Sequence, residues 1–468
     1  MDSTKQISIV RIASVAAIGG FLFGYDTGVI GGTQLFFTAY FELTPGEQGW
    51  AVGSALYGCL FGALIAGVLT RTIGRKNTLL LSAVLFSVSA WGSGVADSLT
   101  ELVLYRIIGG VGIGFASMAA PMYIAEVSPA QHRGRMVSLY QLAIVLGFFV
   151  VFLATYVIGG GDSAVMTQDQ IGKAYQYNLN TGWRVMFWSE LPVALLFFLL
   201  LFFVPASPRW LALKDRNKEA LETLESLTGS REIAKQDFAD IERSLKETQV
   251  TNVRALIAGG LGLALVIGIL LSVFQQTSGI NAILYYGAEI FSNALGYGPQ
   301  DALKQQLWLG AVNLIFTFVA IYTVDLWGRR PLYLIGTAGM VVSLCVLGYT
   351  IYAQTLGVLS LIAILAFVGS FAMSMGPIVW VVISEMFPNK ARSLGMAIAV
   401  GAQWLFNGIV ANSFPVVNRS ELNEMAFNGA LPYFLFAFFC ALAFIFAWRF
   451  LPETKGKSLE EIETMWAK

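Results

Sequence analysis

Histidine is nearly missing from this chain: there is one, His132, in 468 residues. A catalytic or metal site built on imidazoles is therefore excluded. Cysteine is almost as sparse. Cys59, Cys345 and Cys440 all lie in apolar runs, which leaves neither a disulfide framework nor a zinc cluster. Charge is the third shortage. Asp, Glu, Lys and Arg make up 12% of the residues, against about 25% in soluble proteins. The 29 acidic and 29 basic residues cancel, so no positive field exists for nucleic acid. Apolar residues fill the chain instead, at 56% with a mean hydropathy of +0.68. That composition excludes a soluble enzyme, and no nucleophile–base pair or metal cluster suggests a membrane enzyme either.

Crossing a bilayer takes about 20 apolar residues in a helix. Twelve such runs are present, near 9–31, 50–70, 78–96, 102–124, 136–158, 184–204, 255–291, 306–326, 332–352, 358–386, 394–415 and 428–451. The fold class that follows is an all-α membrane protein of twelve spans. Lys5 and Arg11 precede a long apolar run that no small-residue cleavage site ends, so the first span is expected to be retained. Lys and Arg concentrate in the tails and the even-numbered loops, which places both termini in the cytoplasm. Short opposite loops and one weak glycosylation sequon, Asn418-Arg-Ser420, favour a bacterial inner membrane.

The long polar stretch after the sixth span has Leu221, Leu224 and Leu227 near helical spacing and reads as short amphipathic helices. The two sides of that stretch echo each other. Gly74-Arg75-Lys76 recurs as Gly328-Arg329-Arg330, and Glu126 with Arg133 recurs as Glu385 with Arg392. Ser207-Pro208-Arg209 is answered by Pro452-Glu453-Thr454-Lys455. Two parallel six-helix units are indicated, the architecture of a transporter. The expected organisation is a bundle over 1–204, a cytoplasmic linker over 205–252, a second bundle over 253–451 and a terminal segment over 452–468, helical near 458–468.

Charges at a helix end bordering lipid are costly unless they pair. Arg75, Glu126 and Arg133 are expected to form one gating cluster, and Asp325, Arg329, Glu385 and Arg392 its counterpart in the second half. Glutamate contributes little to topology, so the matched acids favour gates over simple topology signals.

At these residues the chain resembles the sugar porter family of the major facilitator superfamily over nearly its whole length. Gly110-Val-Gly-Ile-Gly114, Pro121-Met-Tyr-Ile-Ala-Glu126, Arg133-Gly-Arg135, Pro205-Ala-Ser-Pro-Arg-Trp210, Gln275-Gln-Thr-Ser-Gly-Ile-Asn281 and Pro452-Glu-Thr-Lys-Gly456 carry the resemblance. It implies two pseudo-symmetric six-helix bundles and a monosaccharide carrier. Three positions depart from the family pattern. Arg71 replaces an acid or amide, Thr72 an arginine and Ala206 a glutamate, which predicts a weakened cytoplasmic gate.

A neutral sugar calls for amides, which donate and accept, together with aromatic faces. Gln141, Gln275, Gln276, Asn281, Asn313, Trp380, Gln403 and Trp404 supply them at membrane depth, with Tyr285, Tyr286 and Asn407 nearby in sequence. Polar side chains inside spans usually face a cavity, and Thr277-Ser278-Gly279 suits a broken helix that lines one. By resemblance, these positions bind the sugar. The stretches 371–377, 384–389 and 397–404 are most similar to the family's bacterial xylose symporters, yet Phe148 stands where those have glutamine. D-xylose and D-glucose are both expected substrates.

Asp26 lies midway through the first span, where a bare carboxylate costs several kcal/mol. Arg106 is the partner expected for it, with Glu190 as a second acid in a proton pathway. An aspartate that loses its proton when paired and regains it when parted is a coupling switch. The resemblance agrees, since proton-coupled members have this acid. The reading is a proton symporter with no cofactor, working as a monomer with the proton, a monosaccharide and the bilayer as its partners. A facilitative uniporter and a non-transporting sugar sensor are the alternatives.

Overall fold

The computed structural model describes residues 9–129, 133–246, 252–387, 391–453 and Lys455. Every regular element among them is a helix. Among the described residues, twelve helices are long and apolar enough to cross a membrane: Ile9–Tyr40, Pro45–Thr72, Arg75–Val95, Leu99–Val127, Met136–Val165, Gln168–Leu201, Gly262–Tyr285, Pro299–Val324, Arg329–Tyr352, Val358–Met386, Leu394–Asn418 and Leu431–Phe450. These are spans one to twelve below, and each falls on one of the twelve apolar runs. The linker folds into helices Pro208–Leu213, Asn217–Thr228 and Arg231–Lys246. Leu211, Ala212 and Ala220 form its small core, covered by Trp210, Phe238 and Ile241. The helix expected near 458–468 lies outside the described residues.

Contacts group the chain into two compact units. The first holds the described residues of Met1–Thr27, Tyr57–Phe148 and Phe187–Thr248. The second holds Gly28–Leu56, Phe149–Met186 and the described residues of Gln249–Lys468. Spans one, two, five and six therefore each contribute to both units.

Within the first unit, glycines let backbones touch. A Cβ on Gly24 would sit 1.9 Å from the Ile144 carbonyl oxygen, and one on Gly114 2.5 Å from the Ala63 amide nitrogen. Small residues at such crossings let membrane helices approach closely. The glycine-rich stretch 109–114 is thus packed helix, with no strand before it.

Spans six, seven and ten are interrupted near their middles, and each break has a local cause. Pro192 has no N–H for the Trp188 carbonyl. Span six accordingly stops at Trp188 and resumes at Leu191, leaving Glu190 in the gap. Span seven stops at Thr277 and resumes at Ile280. The joint is Gly279, at φ +85°, where a Cβ would also lie 2.3 Å from the Phe436 ring. Only glycine meets both demands. The break expected at Thr277-Ser278-Gly279 is therefore present, and the overlong run 255–291 is interrupted again at Gly260, φ +83°. The tenth run reads as continuous in the sequence, but the helix breaks at Ser374. Pro377 explains it, because it offers no N–H to the Met373 carbonyl.

Candidate functional site

The sharpest charged group lies in the first unit. Asp26 and Arg106 are both buried and form an ion pair through Arg106 Nη1 and Asp26 Oδ1. Arg106 Nη2 also donates to the Asp26 backbone oxygen at 3.2 Å, and the guanidinium lies 5.8 Å from the Phe187 ring centroid. A buried pair needs such added bonds to offset desolvation. Glu190, buried in the gap of span six, is within electrostatic reach of both partners. Its carboxylate oxygens have no hydrogen-bond partner among the described residues. Beside Asp26, Tyr25 is hydrogen-bonded to Ser189 at 2.8 Å. The three residues expected to handle a proton are thus brought together. Arg184, close to Glu190 in sequence, instead stacks on Trp183 and Tyr40 at 4.5 and 5.2 Å.

An amide network lies in the second unit, centred on the break in span seven. Gln275 Nε2 donates to the Met375 and Gly376 carbonyls at 2.9 and 3.0 Å, where span ten resumes. Gln275 Oε1 accepts from Gln403 Nε2 at 2.6 Å and from Gln276 Nε2 at 3.4 Å. Gln276 Oε1 accepts from Asn281 Nδ2 at 2.7 Å, across the break. One turn on from Gln403, Asn407 Nδ2 donates to Tyr285 Oη at 3.3 Å. Gln403 Oε1 and Asn407 Oδ1 are buried and accept no bond. A buried acceptor without a donor is costly, and a ligand rich in hydroxyls would satisfy both.

Other expected sugar-site residues are placed less closely. Trp404 is buried beside Gln403 in span eleven, and Trp380 is half-buried in the second piece of span ten. Asn313 is buried in span eight but shares none of these amide bonds. Gln141 is half-buried in span five and belongs to the first unit.

The expected gating charges pair in both sequence halves. Arg75 Nη2 meets Glu126 Oε1 at 2.7 Å, and Ser207 Oγ is hydrogen-bonded to Glu126 Oε2 at 2.5 Å. Arg329 Nη2 meets Glu385 Oε1 at 3.0 Å. The side chains of Arg133, Asp325 and Arg392 lie outside the described residues.

A further network escaped the sequence reading. Glu289, buried just past span seven, accepts from Gln48 Nε2 of span two at 2.6 Å and from Arg419 Nη2 at 2.7 Å. Gln48 Nε2 also donates to Gln34 Oε1 of span one at 2.7 Å. Nearby, Lys304 pairs with Asp162 at 2.9 Å. Polar residues at the ends of apolar runs were the available signal, but their pairing across 241 positions leaves no local pattern.

Comparison with known proteins agrees with this geometry. The family model for sugar (and other) transporters matches residues 12–466. The D-xylose-proton symporter of Escherichia coli K12 is 41% identical, over 98% of this chain and 96% of its own. A solved structure of the xylose transporter from E. coli, in a partially occluded inward-open conformation, superposes with a TM-score of 0.82 at 38% identity, covering 96% of this chain and 99% of that one. A proton:xylose symporter of the major facilitator superfamily, bound to 6-bromo-6-deoxy-D-glucose, gives 0.80 at 40% identity, covering 98% and 99%. The chain belongs to the sugar transporter family of the major facilitator superfamily.

Proposed function

We propose that the chain couples inward proton movement to uptake of a neutral monosaccharide, D-xylose or D-glucose, by alternating access. The observation that carries the reading is the buried pair of Asp26 and Arg106. A carboxylate held at membrane depth against one cation can release its proton while paired and take one when the pair parts. The relatives named for proton symport support the same reading. Both termini and the linker are cytoplasmic in this proposal, the two sequence halves are the moving bodies, and a monomer is the working unit.

In the same reading, Gln275, Gln276, Asn281, Gln403 and Asn407 present amide donors and acceptors to sugar hydroxyls. Trp380 and Trp404 offer aromatic faces, while Gln141 and Asn313 are further contacts. Arg75 with Glu126 and Arg329 with Glu385 close and open the cytoplasmic ends. The xylose symporter solved with a glucose analogue supports a site able to accept either sugar frame.

The test is uptake of labelled xylose and glucose into proteoliposomes, with and without an inward proton gradient. Concentrative uptake of either sugar under the gradient alone is expected. Asp26→Asn should lose that accumulation yet still exchange sugar across the membrane. Gradient-independent equilibration by the wild type would instead identify a uniporter, and binding without uptake a sensor.

A further inference from the structure

Asp26 uses only one of its two oxygens. Arg106 holds Oδ1, while Oδ2 is buried without a partner. What faces Oδ2 is Gly109 on span four. A Cβ placed on Gly109 would lie 2.8 Å from Asp26 Oδ2 and 2.3 Å from Ser89 Oγ. The two oxygens therefore both press against the backbone of Gly109, in the place a side chain at 109 would take. Ser89 Oγ is itself buried and unpartnered, and so is Ser93 Oγ, one turn further along the same face of span three. Hydroxyls in helices commonly bond to the carbonyl four residues back, as Thr78, Thr70 and Ser87 do. Ser89 and Ser93 do not.

We infer that Ser89, held against Gly109, hands the proton to Asp26 Oδ2, with Ser93 as the preceding hydroxyl. This rests on the proton-coupling reading above. Span three runs from Arg75 at the linker end to Val95, so the two serines lead from the proposed outer end toward Asp26. In the transfer, the Ser89 hydroxyl proton bonds to Oδ2 while Oγ receives another from its outer side. Ser89 ends neutral, Asp26 ends as the uncharged acid, and one proton has left the outer water. A hydroxyl suits this because it donates and accepts at once. The other titratable groups around Asp26 are Tyr25 beside it on span one, Arg106 on span four, Glu190 in span six and Cys59 on span two, with Tyr140 of span five beyond Cys59. Arg106 holds the other oxygen, and no hydrogen bond joins Glu190 to Oδ2. Ser89 relays the proton and stands apart in role from the sugar amides.

The experiment compares wild type, Ser89→Ala, Gly109→Ala and Asp26→Asn, each as full-length protein in proteoliposomes. Three quantities are read: the proton-driven initial rate, its half-saturating sugar concentration, and sugar exchange without a gradient. Ser89→Ala should slow the proton-driven rate by about tenfold, less than the full effect of a positioned proton-transfer group because water can enter the vacated space. Half-saturation and exchange should stay at wild-type values. Gly109→Ala, whose Cβ would push the two oxygens apart, should slow it further. A wild-type proton-driven rate in Ser89→Ala, with accumulation lost in Asp26→Asn, would overturn the relay and leave the coupling assignment standing. Accumulation that survives in Asp26→Asn would overturn the coupling reading itself. Equal loss of exchange in Ser89→Ala would assign Ser89 to packing and likewise overturn the relay.

Discussion

Gln275 shows how one residue at this depth can tie several helices together. Its amide nitrogen is tied to two carbonyls where span ten resumes, and its oxygen holds Gln403 in place. Removing it would disturb span ten and span eleven together. Gln276 is the cleaner probe, since its oxygen serves Asn281 alone among the described bonds. Gln276→Ala is expected to weaken sugar binding by about tenfold, the worth of one hydrogen bond of about 1–1.5 kcal/mol. Equilibrium binding to the purified protein checks this, and unchanged affinity would remove Gln276 from the sugar site. Residues of this kind were legible in the sequence because amides and acids inside apolar runs carry a large penalty. Asp26, Arg106 and the amides of spans seven and eleven stood out on that ground alone. Glu289, Gln48 and Gln34 did not, because near a helix end a polar side chain looks like an ordinary interfacial one.

At the scale of elements, the two repeated motifs after spans two and eight turn out to be unequally finished. Glu453 accepts from the Arg329 and Arg330 backbone amides at 3.1 and 3.0 Å, which caps the start of span nine. Span three begins at Arg75 with no side-chain cap. Ala206 stands where Glu453 stands in the second motif, and a methyl group has nothing to offer these amides. Trp210 supplies a contact of another kind, with Nε1 donating to the Arg71 carbonyl at 3.2 Å and its ring against Gly74. Ala206→Glu is therefore expected to raise the thermal midpoint, since a helix cap contributes about 0.5–2 kcal/mol. Glu453→Ala should lower it by a comparable amount. Differential scanning of detergent-purified protein reads both, and equal midpoints for Ala206→Glu and wild type would show that the new carboxylate fails to reach the amides. The helices themselves were legible from run length. The breaks were legible where glycine marked them, as at Gly279, and missed at Ser374, where the cause was Pro377 three residues further on.

For the whole molecule, the sequence repeat and the pattern of contacts describe different things. The repeat divides the chain at the linker, as inheritance from a duplicated unit would. Contacts instead gather the far ends of spans one, two, five and six with the second half. Gln34, Gln48 and Asp162 of the first half meet Glu289 and Lys304 of the second there. No local pattern could foretell this, because the partners stand 142 and 241 positions apart in the sequence.

Gly279 gives these contacts a thermodynamic meaning. It is a single bend between two helices, and the segment beyond it carries Asn281 near its start and Glu289 shortly after its end. The amide that would grip a sugar and the acid that grips Gln48 and Arg419 thus ride on one short lever. Free energies coupled through a lever are reciprocal: whatever sugar binding does to the Glu289 contacts, those contacts do to sugar affinity by the same factor. Glu289→Gln should then change sugar affinity by about fivefold or more, although Glu289 shares no bond with the amide network. Calorimetric titration of the variant measures it, and an unchanged affinity would mean that the lever bends. The tightness with which this protein holds its sugar would then be set in part by a carboxylate that never meets it.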